Sequence, residues 1–345
     1  MQITLVEKHS MARKIRWGIL STGKIAHKFA QGLKELPEEA EILAVGSRSR
    51  LTADAFADEF GIPRRYASYE ALAADPDLDV VYIGTPHSFH YDNAVLCLNA
   101  GKAVLCEKAF TITGREAEEL IRLARAKRLF LMEAMWVRFL PSTVKVRELV
   151  ASGAIGEPRL MQASLGFWTD ITSETKLGRF LNPALGGGSM FDVGIYPMSY
   201  ISMLFGPAER VTGVAHIGET GVDEQASVSY GYGDGRIANA VFGVRTRVPG
   251  GAFIAGSAGT LTTEPSFLNP KTLVLTEAGK DPVRFDVACE GTPYRFEAQE
   301  VMRCLREGRA ESSVMPLDES LAIMKTMDSL RGEWGMVCPN DARWG

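Results

Sequence analysis

One turn near the start of the chain has the residue types that bind a phosphate. The apolar run 15–20 leads into Ser-Thr-Gly, and a segment with helical character follows it. The spacing is that of the dinucleotide motif G-x-G-x-x-G/A, with Ser21 in place of the first glycine and Ala26 at the last position. Free N–H groups at a helix N-terminus point at such a phosphate. The residues predicted to contact the cofactor here are Ser21, Thr22, Gly23, Lys24 and Ile25.

The end of the next apolar run predicts which dinucleotide binds. Enzymes that use NAD carry an Asp or Glu at this point, which binds the ribose 2′-hydroxyl. Here the residues are Ser47, Arg48, Ser49 and Arg50, with no carboxylate. Arginine supplies the charge and the planar fork that bind a 2′-phosphate. NADP is therefore favoured over NAD, and the alternative is an ordinary solvated loop.

Backbone groups near Thr85 and Pro86, after the run 80–84, are expected to lie beside the nicotinamide. His87 and His90 follow at a helix start, and we include His90 among the cofactor contacts. Two histidines three residues apart could bind a metal, but no third ligand follows at a suitable spacing. Capping or packing is the better interpretation, and no metal is predicted.

Two further stretches carry residues suited to catalysis. Lys108, next to Glu107, would stand at the carboxyl end of a strand, where ligands bind in a parallel sheet, and we include both residues among the cofactor contacts. A salt bridge within this pair is the simpler alternative. Asp192 and Tyr196 follow three glycines and, four residues apart, would share one helix face. Pro197 should make that helix irregular. The alternative to a catalytic role for Tyr196 is that it is an ordinary core residue.

The first part of the chain alternates apolar strands with amphipathic helices. This pattern predicts a doubly wound parallel sheet. Thr52 is expected to cap a helix that Gly61 closes, and Thr113 begins a capping box. The predicted strands are Ile15–Leu20, Glu41–Gly46, Val80–Gly84, Ala103–Cys106 and Leu129–Met132.

From about residue 137 the apolar period changes to two, which predicts a mainly antiparallel sheet with one face on helices. The helices expected here are one through Val150, then Tyr294–Glu307 and Leu317–Trp334. The predicted strands are Arg159–Trp168, Val211–Gly218, Ala226–Tyr232, Arg236–Val248, Ala252–Ser257 and Thr260–Thr263.

Length and composition predict a cytoplasmic protein of two domains. The chain has 345 residues, of which 46% are hydrophobic and 23% charged, and its net charge is −4. These values argue against nucleic acid or an anionic membrane as the main partner. Five cysteines without C-x-x-C spacing suggest neither a disulfide framework nor a zinc site, and neither a signal peptide nor a membrane span is evident. We predict an N-terminal extension at 1–14, a Rossmann domain at 15–134 and a substrate-binding and dimerisation α+β domain at 135–345.

Several motifs, in order along nearly the whole chain, resemble the Gfo/Idh/MocA oxidoreductases, and most closely the branch of dimeric dihydrodiol dehydrogenases and NADP-dependent D-xylose dehydrogenases. The resemblance implies an NADP-linked dehydrogenase acting on a sugar or cyclic diol, and a homodimer formed through the outer face of the second sheet. It is carried by Trp17-Gly18-Ile19, Ser21-Thr22-Gly23, Ala103 to Lys108, Leu131 to Phe139, Asp192 to Tyr196 and Glu219 to Asp223.

The resemblance also implies roles for three residues. Lys108 matches the lysine of the family's Glu-Lys-Pro motif, while Asp192 and Tyr196 match its Asp-x-Gly-x-His/Tyr pair. Tyr196 would exchange the proton of the alcohol, with its pKa lowered by Lys108, although the lysine itself is the alternative proton carrier. Ala109 replaces the family's proline. Since cis bonds are rare outside proline, we expect a trans Lys108–Ala109 peptide. Apart from the resemblance, Ser21 is tolerable in place of the first glycine if that position does not need positive φ, since serine can cap the helix itself.

The substrate site is predicted only loosely, because core packing explains each candidate about as well. Two other functions stay open: an NAD-dependent polyol or inositol-type dehydrogenase, and a non-catalytic NADP(H)-binding sensor on the same fold. The aromatic and basic residues proposed to line the site are Trp136, Arg138, Phe167, Trp168, Arg179 and Phe180.

Overall fold

The computed structural model describes residues 13–344. Its first sheet is parallel and has six strands, in the order β3-β2-β1-β4-β5-β6. The predicted extension 1–14 lies almost wholly outside the described residues. The strands are β1 Ile15–Leu20, β2 Ala40–Gly46, β3 Arg64–Tyr66, β4 Val80–Ile83, β5 Ala103–Glu107 and β6 Leu131–Ala134. The helices between them are α1 Lys24–Lys34, α2 Arg50–Phe60, α3 Tyr69–Ala73, α4 His90–Asn99 and α5 Gly114–Lys127.

This sheet confirms the doubly wound prediction. Every residue of β4 and β5 is buried, as expected for parallel strands covered on both faces. The strand order reverses between β1 and β4, which opens a crevice at the carboxyl ends of the strands. The short strand β3 was not predicted, because its three residues are polar and only partly buried.

Capping residues predicted from the sequence can be compared with the observed helix ends. Thr113 forms the predicted capping box at the start of α5. The predicted cap at Thr52 is wrong, since α2 begins earlier, after Ser49. The Thr52 hydroxyl instead donates to the Ser49 carbonyl at 3.1 Å, from inside the helix. Gly61 closes α2 in the left-handed conformation, as predicted.

The second sheet has eight strands in the order β14-β13-β12-β11-β7-β10-β9-β8. It is mainly antiparallel, as predicted, and only β7 and β10 pair in parallel. The strands are β7 Pro158–Gly166, β8 Arg210–Ile217, β9 Asp223–Gly231, β10 Ile237–Gly243, β11 Gly251–Gly256, β12 Gly259–Glu264, β13 Thr272–Glu277 and β14 Val283–Asp286. Strands β13 and β14 were not predicted.

Helices cover one face of this sheet and join it to the first. The last helix packs on both α5 and β8, and the Gly114 N–H at the start of α5 donates to Asp328 Oδ2 at 2.6 Å. Among residues 13–344, no helix has the length and hydropathy needed to cross a membrane. The remaining helices are α6 Pro141–Ala151, α7 Ser173–Leu177, α8 Ile195–Phe205, α9 Arg295–Arg306 and α10 Leu317–Trp334, with a π-helical segment at Met190–Gly194 before α8.

Candidate active site

The turn between β1 and α1 lies at the crevice and leads into a helix whose first turn has no side-chain cap within the described chain. Gly23 is the N-cap of this helix. The Gly23 N–H donates to Ser21 Oγ at 3.2 Å. A Cβ on Gly23 would lie 3.5 Å from Ser21 Oγ and 3.8 Å from the Gly84 carbonyl oxygen, both ordinary van der Waals contacts. An open first turn of this kind fits a dinucleotide phosphate.

Ser21 does not meet the condition under which serine replaces the first glycine without strain. Its φ is +104°, a conformation that usually selects glycine. The Ser21 N–H donates to the Gly46 carbonyl at 3.0 Å while its hydroxyl accepts from Gly23, and these two bonds hold the backbone. Strain of this size, about 1–3 kcal/mol, is typical of ligand-binding turns.

The two arginines after β2 lie in different surroundings. Arg50 Nε is 2.9 Å from Asp54 Oδ1, in an exposed ion pair one helical turn away. Arg48 is exposed as well and lies close enough to Tyr69 to interact with its phenol. Ser47 is buried, and its hydroxyl bonds Thr52 Oγ1 at 2.7 Å. Of the two arginines, Arg50 is therefore paired with a carboxylate, whereas Arg48 lies beside a phenol.

The ring of His90 supports the backbone around the crevice. It is fully buried, with Nδ1 2.8 Å from the Ala109 carbonyl oxygen and Nε2 2.9 Å from that of Thr85. Burial lowers the pKa of His90 to about 4, so the neutral ring donates to only one of these oxygens. His87 similarly contacts the Gly186 carbonyl at 2.8 Å. No cluster of potential metal ligands occurs among the described residues.

Lys108 joins the two halves of the chain at the end of β5. Its side chain is buried, and Nζ donates to the main-chain oxygen of Asp192 at 2.7 Å. The same nitrogen lies 3.7 Å from Asp192 Oδ1 and 4.7 Å from the centroid of the Tyr196 ring. Burial lowers the pKa of Lys108, and the Asp192 carboxylate opposes that change. The structure therefore brings all three predicted catalytic side chains together.

The Lys108–Ala109 peptide is cis, and the predicted trans bond is wrong. The prediction considered only the residue type. Both residues are buried, and the Ala109 carbonyl faces the His90 ring at 2.8 Å.

The segment that carries Asp192 and Tyr196 is irregular, as the proline predicted. Met190–Gly194 is π-helical, and the Ile195 N–H bonds the Met190 carbonyl five residues back. Pro197 has no N–H to donate to the carbonyl four residues before it, which favours a widened turn here.

The pKa of Tyr196 is raised, not lowered as predicted. Burial is the main cause, followed by the negative charge of Glu107. Lys108 Nζ lies over the face of the ring, 4.7 Å from its centroid. The hydroxyl instead accepts a hydrogen bond from Trp136 Nε1 at 3.1 Å. Tyr196 is therefore a neutral phenol over the physiological pH range.

The predicted substrate residues separate into two groups. Arg138 is fully buried, and its guanidinium donates to Ser199 and Glu319, so it holds α8 against α10 and does not reach the site. Arg179 is 57% exposed and its Nη1 lies 3.0 Å from Asp192 Oδ1, at the mouth of the site.

The aromatic candidates for the substrate site also differ in what they contact. Trp136 reaches Tyr196 directly. The Phe167 and Phe180 rings pack edge to face at 5.0 Å, and Arg179 lies over Phe180 at 4.5 Å. Trp168 instead stacks under Arg245, 4.4 Å from its guanidinium carbon.

Two buried carboxyls near the site were not predicted. Asp223 Oδ2 accepts from the Ser189 hydroxyl and the Met190 N–H, which anchors the start of the π-helical segment. A Cβ on Gly188 would collide with this carboxyl, which explains one of the three glycines. Glu297 lies fully buried on α9. The sequence gives no sign that Glu297 is buried, because it is an isolated glutamate in an amphipathic helix. The three glycines, in contrast, did indicate that the backbone lies close to another group.

Comparisons with known proteins fit this geometry. The family described as "Oxidoreductase family, NAD-binding Rossmann fold" matches residues 15–135, and the "GFO/IDH/MocA C-terminal domain" matches residues 143–262. The chain belongs to the Gfo/Idh/MocA oxidoreductases. It is similar to trans-1,2-dihydrobenzene-1,2-diol dehydrogenase of Mus musculus, with 37% identity over 95% of this chain and 99% of the relative. The Homo sapiens protein of that name is 35% identical over the same shares.

Solved structures of low identity share the fold. A 3-ketoreductase from Actinomadura kijaniata, in complex with NADP and TDP-benzene, is 24% identical with a TM-score of 0.82, covering 93% of this chain and 98% of that one. A levoglucosan dehydrogenase in complex with NADH and levoglucosan is 16% identical with a TM-score of 0.86, covering 94% and 98%. This protein is thus an NAD(P)-binding dehydrogenase that acts on CH–OH groups.

Proposed function

We propose that this protein is an NADP-dependent dehydrogenase of a sugar or cyclic diol. The observation that carries the proposal is the contact of Lys108 with both Asp192 and Tyr196 in the crevice that the phosphate-binding turn also faces. The dihydrodiol dehydrogenases similar to this chain over almost its whole length support the substrate class.

The cofactor is proposed to lie along the carboxyl ends of the first sheet. The N–H groups of Lys24 and Ile25 would hold its pyrophosphate, and Arg48 its 2′-phosphate. The backbone near Thr85 and Pro86 would lie beside the nicotinamide. When bound, the cofactor accepts or supplies the hydride.

Tyr196 is proposed to exchange the proton. A neutral phenol can give its proton to a carbonyl oxygen during reduction and is left as the phenolate. During oxidation the phenolate form, produced by prior loss of that proton to solvent, takes the proton of the alcohol. The Trp136 Nε1–H, which already bonds the Tyr196 hydroxyl, would stabilise the phenolate left after the transfer. Lys108 supplies positive charge next to the ring, and the Asp192 backbone fixes its position.

The substrate is proposed to carry neighbouring hydroxyl groups. Asp192 Oδ1 and Arg179 offer an acceptor and donors side by side at the mouth of the site. Trp136 and Phe167 supply aromatic surface for a ring. A pyranose or a cyclic diol presents both kinds of partner.

We also propose a homodimer formed through the outer face of the second sheet. Leu160, Val214 and Ile237 project from β7, β8 and β10, and each is at least 40% exposed. Light scattering during size-exclusion chromatography should give twice the mass of one chain, and a monomer would refute this assembly.

The function is tested with a panel of aldoses and trans-dihydrodiols, measuring reduction of NADP and of NAD. We expect oxidation of at least one panel member with NADP as the preferred cofactor. Tight NADPH binding without any turnover would favour the sensor, while faster turnover with NAD would favour the NAD-dependent alternative.

A further inference from the structure

The segment after α10 packs against the segments that follow β4 and β5. It forms a 3₁₀ helix at Pro339–Trp344. Arg331 holds its start, because Nη1 and Nη2 donate to the two carboxyl oxygens of Asp341 at 3.0 and 3.1 Å. The Asp341 carboxyl also accepts from the N–H of Cys338 at 2.7 Å, and Cys338 is buried. These bonds fix the position of the segment against α10.

Asn340 lies in this 3₁₀ helix and donates to both neighbouring segments. Its Nδ2 lies 3.3 Å from the Ser88 carbonyl oxygen and 2.8 Å from Glu116 Oε1. The amide nitrogen carries two hydrogens, one for each acceptor. The opposite orientation of the amide would place its oxygen against a carbonyl and a carboxylate, which are both acceptors. The two contacts themselves therefore decide that the nitrogen faces them.

One of these acceptors, Glu116, holds the backbone between β5 and α5. Its side chain is fully buried, and its Oε2 accepts from the N–H groups of Ile112 and Thr113 at 3.0 and 3.4 Å. Burial raises the pKa of Glu116, and the hydrogen bond from Asn340 opposes that change. Asn340 thus supports the carboxyl that fixes the loop leading away from Lys108.

The other acceptor lies next to the proposed nicotinamide site. Ser88 belongs to the 3₁₀ turn His87–Phe89, which directly follows Pro86. The proposed function places the nicotinamide beside Pro86 and the reacting oxygen beside Lys108. Asn340 therefore connects the two loops that set the distance between the nicotinamide and Lys108.

We propose that Asn340 is a positioning residue for the dehydrogenase reaction, because it fixes the loop after β4 relative to the loop after β5. It acts through these loops and so places the nicotinamide with respect to Lys108. A small misplacement of reacting groups is enough to slow a reaction strongly. This inference rests on the proposed placement of the cofactor.

Hydrogen exchange in the cofactor-free protein tests the bridge without any turnover. In Asn340→Ala the N–H groups of residues 84–89 and 109–113 should exchange at least about fivefold faster, because each loop loses a hydrogen bond. Trp334→Phe is the matched control, since it removes the bond from Trp334 Nε1 to the Gly213 carbonyl at 3.0 Å, outside both loops. It should leave exchange in the two loops unchanged. Equal exchange in wild type and Asn340→Ala would overturn the bridge.

Kinetics and fragment binding test the positioning role. The fragment is adenosine 2′,5′-bisphosphate, which lacks the nicotinamide and is proposed to bind at Arg48 and the β1–α1 turn. In Asn340→Ala we expect kcat to fall at least about tenfold while the fragment Kd, measured by calorimetry, stays within about twofold. Asn340→Asp, which keeps the side-chain size and has no amide donor, should behave alike, and Trp334→Phe should keep kcat.

Two results would overturn the positioning role. One is a wild-type kcat in both Asn340 variants, and the other is a fragment Kd that rises as much as kcat falls, which indicates a general loss of structure. A wild-type protein that binds neither NADPH nor the fragment would instead contradict the proposed function, and this inference with it.

Discussion

Lys108 Nζ donates to the main-chain oxygen of Asp192 at 2.7 Å, across 84 positions of sequence. The bond ties the end of β5 to the π-helical segment before α8, and both ends of it are buried. The Lys108 side chain thus connects the crevice of the first sheet to the helix that carries Tyr196.

Replacing Lys108 by methionine should lower kcat at least about 100-fold, because a preorganised positive charge beside the reacting oxygen is lost. Steady-state kinetics with the best substrate of the panel measures this. Lys102→Met is the matched control, since Lys102 is also buried and donates to a carbonyl, that of Leu78, away from the site. It should lower the melting temperature and keep kcat. Equal kcat losses in the two variants would contradict a specific role for Lys108.

Arg48→Ala should weaken NADPH binding about 10- to 100-fold, because hydrogen bonds to a charged group contribute about 1.5–3 kcal/mol. NADH binding should change little. Fluorescence titration with both cofactors measures the two constants. Arg50→Ala, which removes an arginine already paired with Asp54, serves as the control and should have the smaller effect. Equal losses for NADPH and NADH in Arg48→Ala would refute the 2′-phosphate contact.

Asp223 makes stability depend on pH. Burial raises its pKa to about 7, well above the value of about 3.9 in an unfolded chain. The folded state therefore binds this proton more tightly, and its contribution to stability is greatest below about pH 4 and is lost as pH rises towards 7. The free energy of unfolding should fall by up to about 1.4 kcal/mol per pH unit in this window.

Asp223→Asn should remove this part of the slope, which denaturant unfolding between pH 4 and 8 measures. Asp234→Asn, on an exposed turn, is the control, because Asp234 has a lowered pKa and gives no fall in this window. A slope equal to that of wild type in Asp223→Asn would show that this carboxyl is not the group responsible.

The sequence predicts those features of the fold that depend on residues close to one another along the chain. β1 and α10 have the predicted bounds, and the capping box at Thr113 forms because its partners are three residues apart. Strands β13 and β14 were missed because pairing stabilises them more than any local pattern does: β13 pairs with β12, and β14 pairs with β13.

In the site, residue types were predictable and their surroundings were not. Lys108, Asp192 and Tyr196 do meet, yet the backbone of Ser21, with its positive φ, is bonded to Gly46 on another strand. The raised pKa of Tyr196 has the same origin, since burial and Glu107 act on it from other elements.

The central claim is that Tyr196 exchanges the proton, and Tyr196→Phe tests it most directly. The variant lacks only the hydroxyl, so kcat should fall by about 100- to 10,000-fold while the Kd for NADPH stays within about twofold. Tyr200→Phe, a buried tyrosine one turn further along α8, is the matched control and should keep kcat. Loss of kcat with retained NADPH binding in Tyr196→Phe alone is the predicted result, and a near-normal kcat in that variant would contradict the assignment.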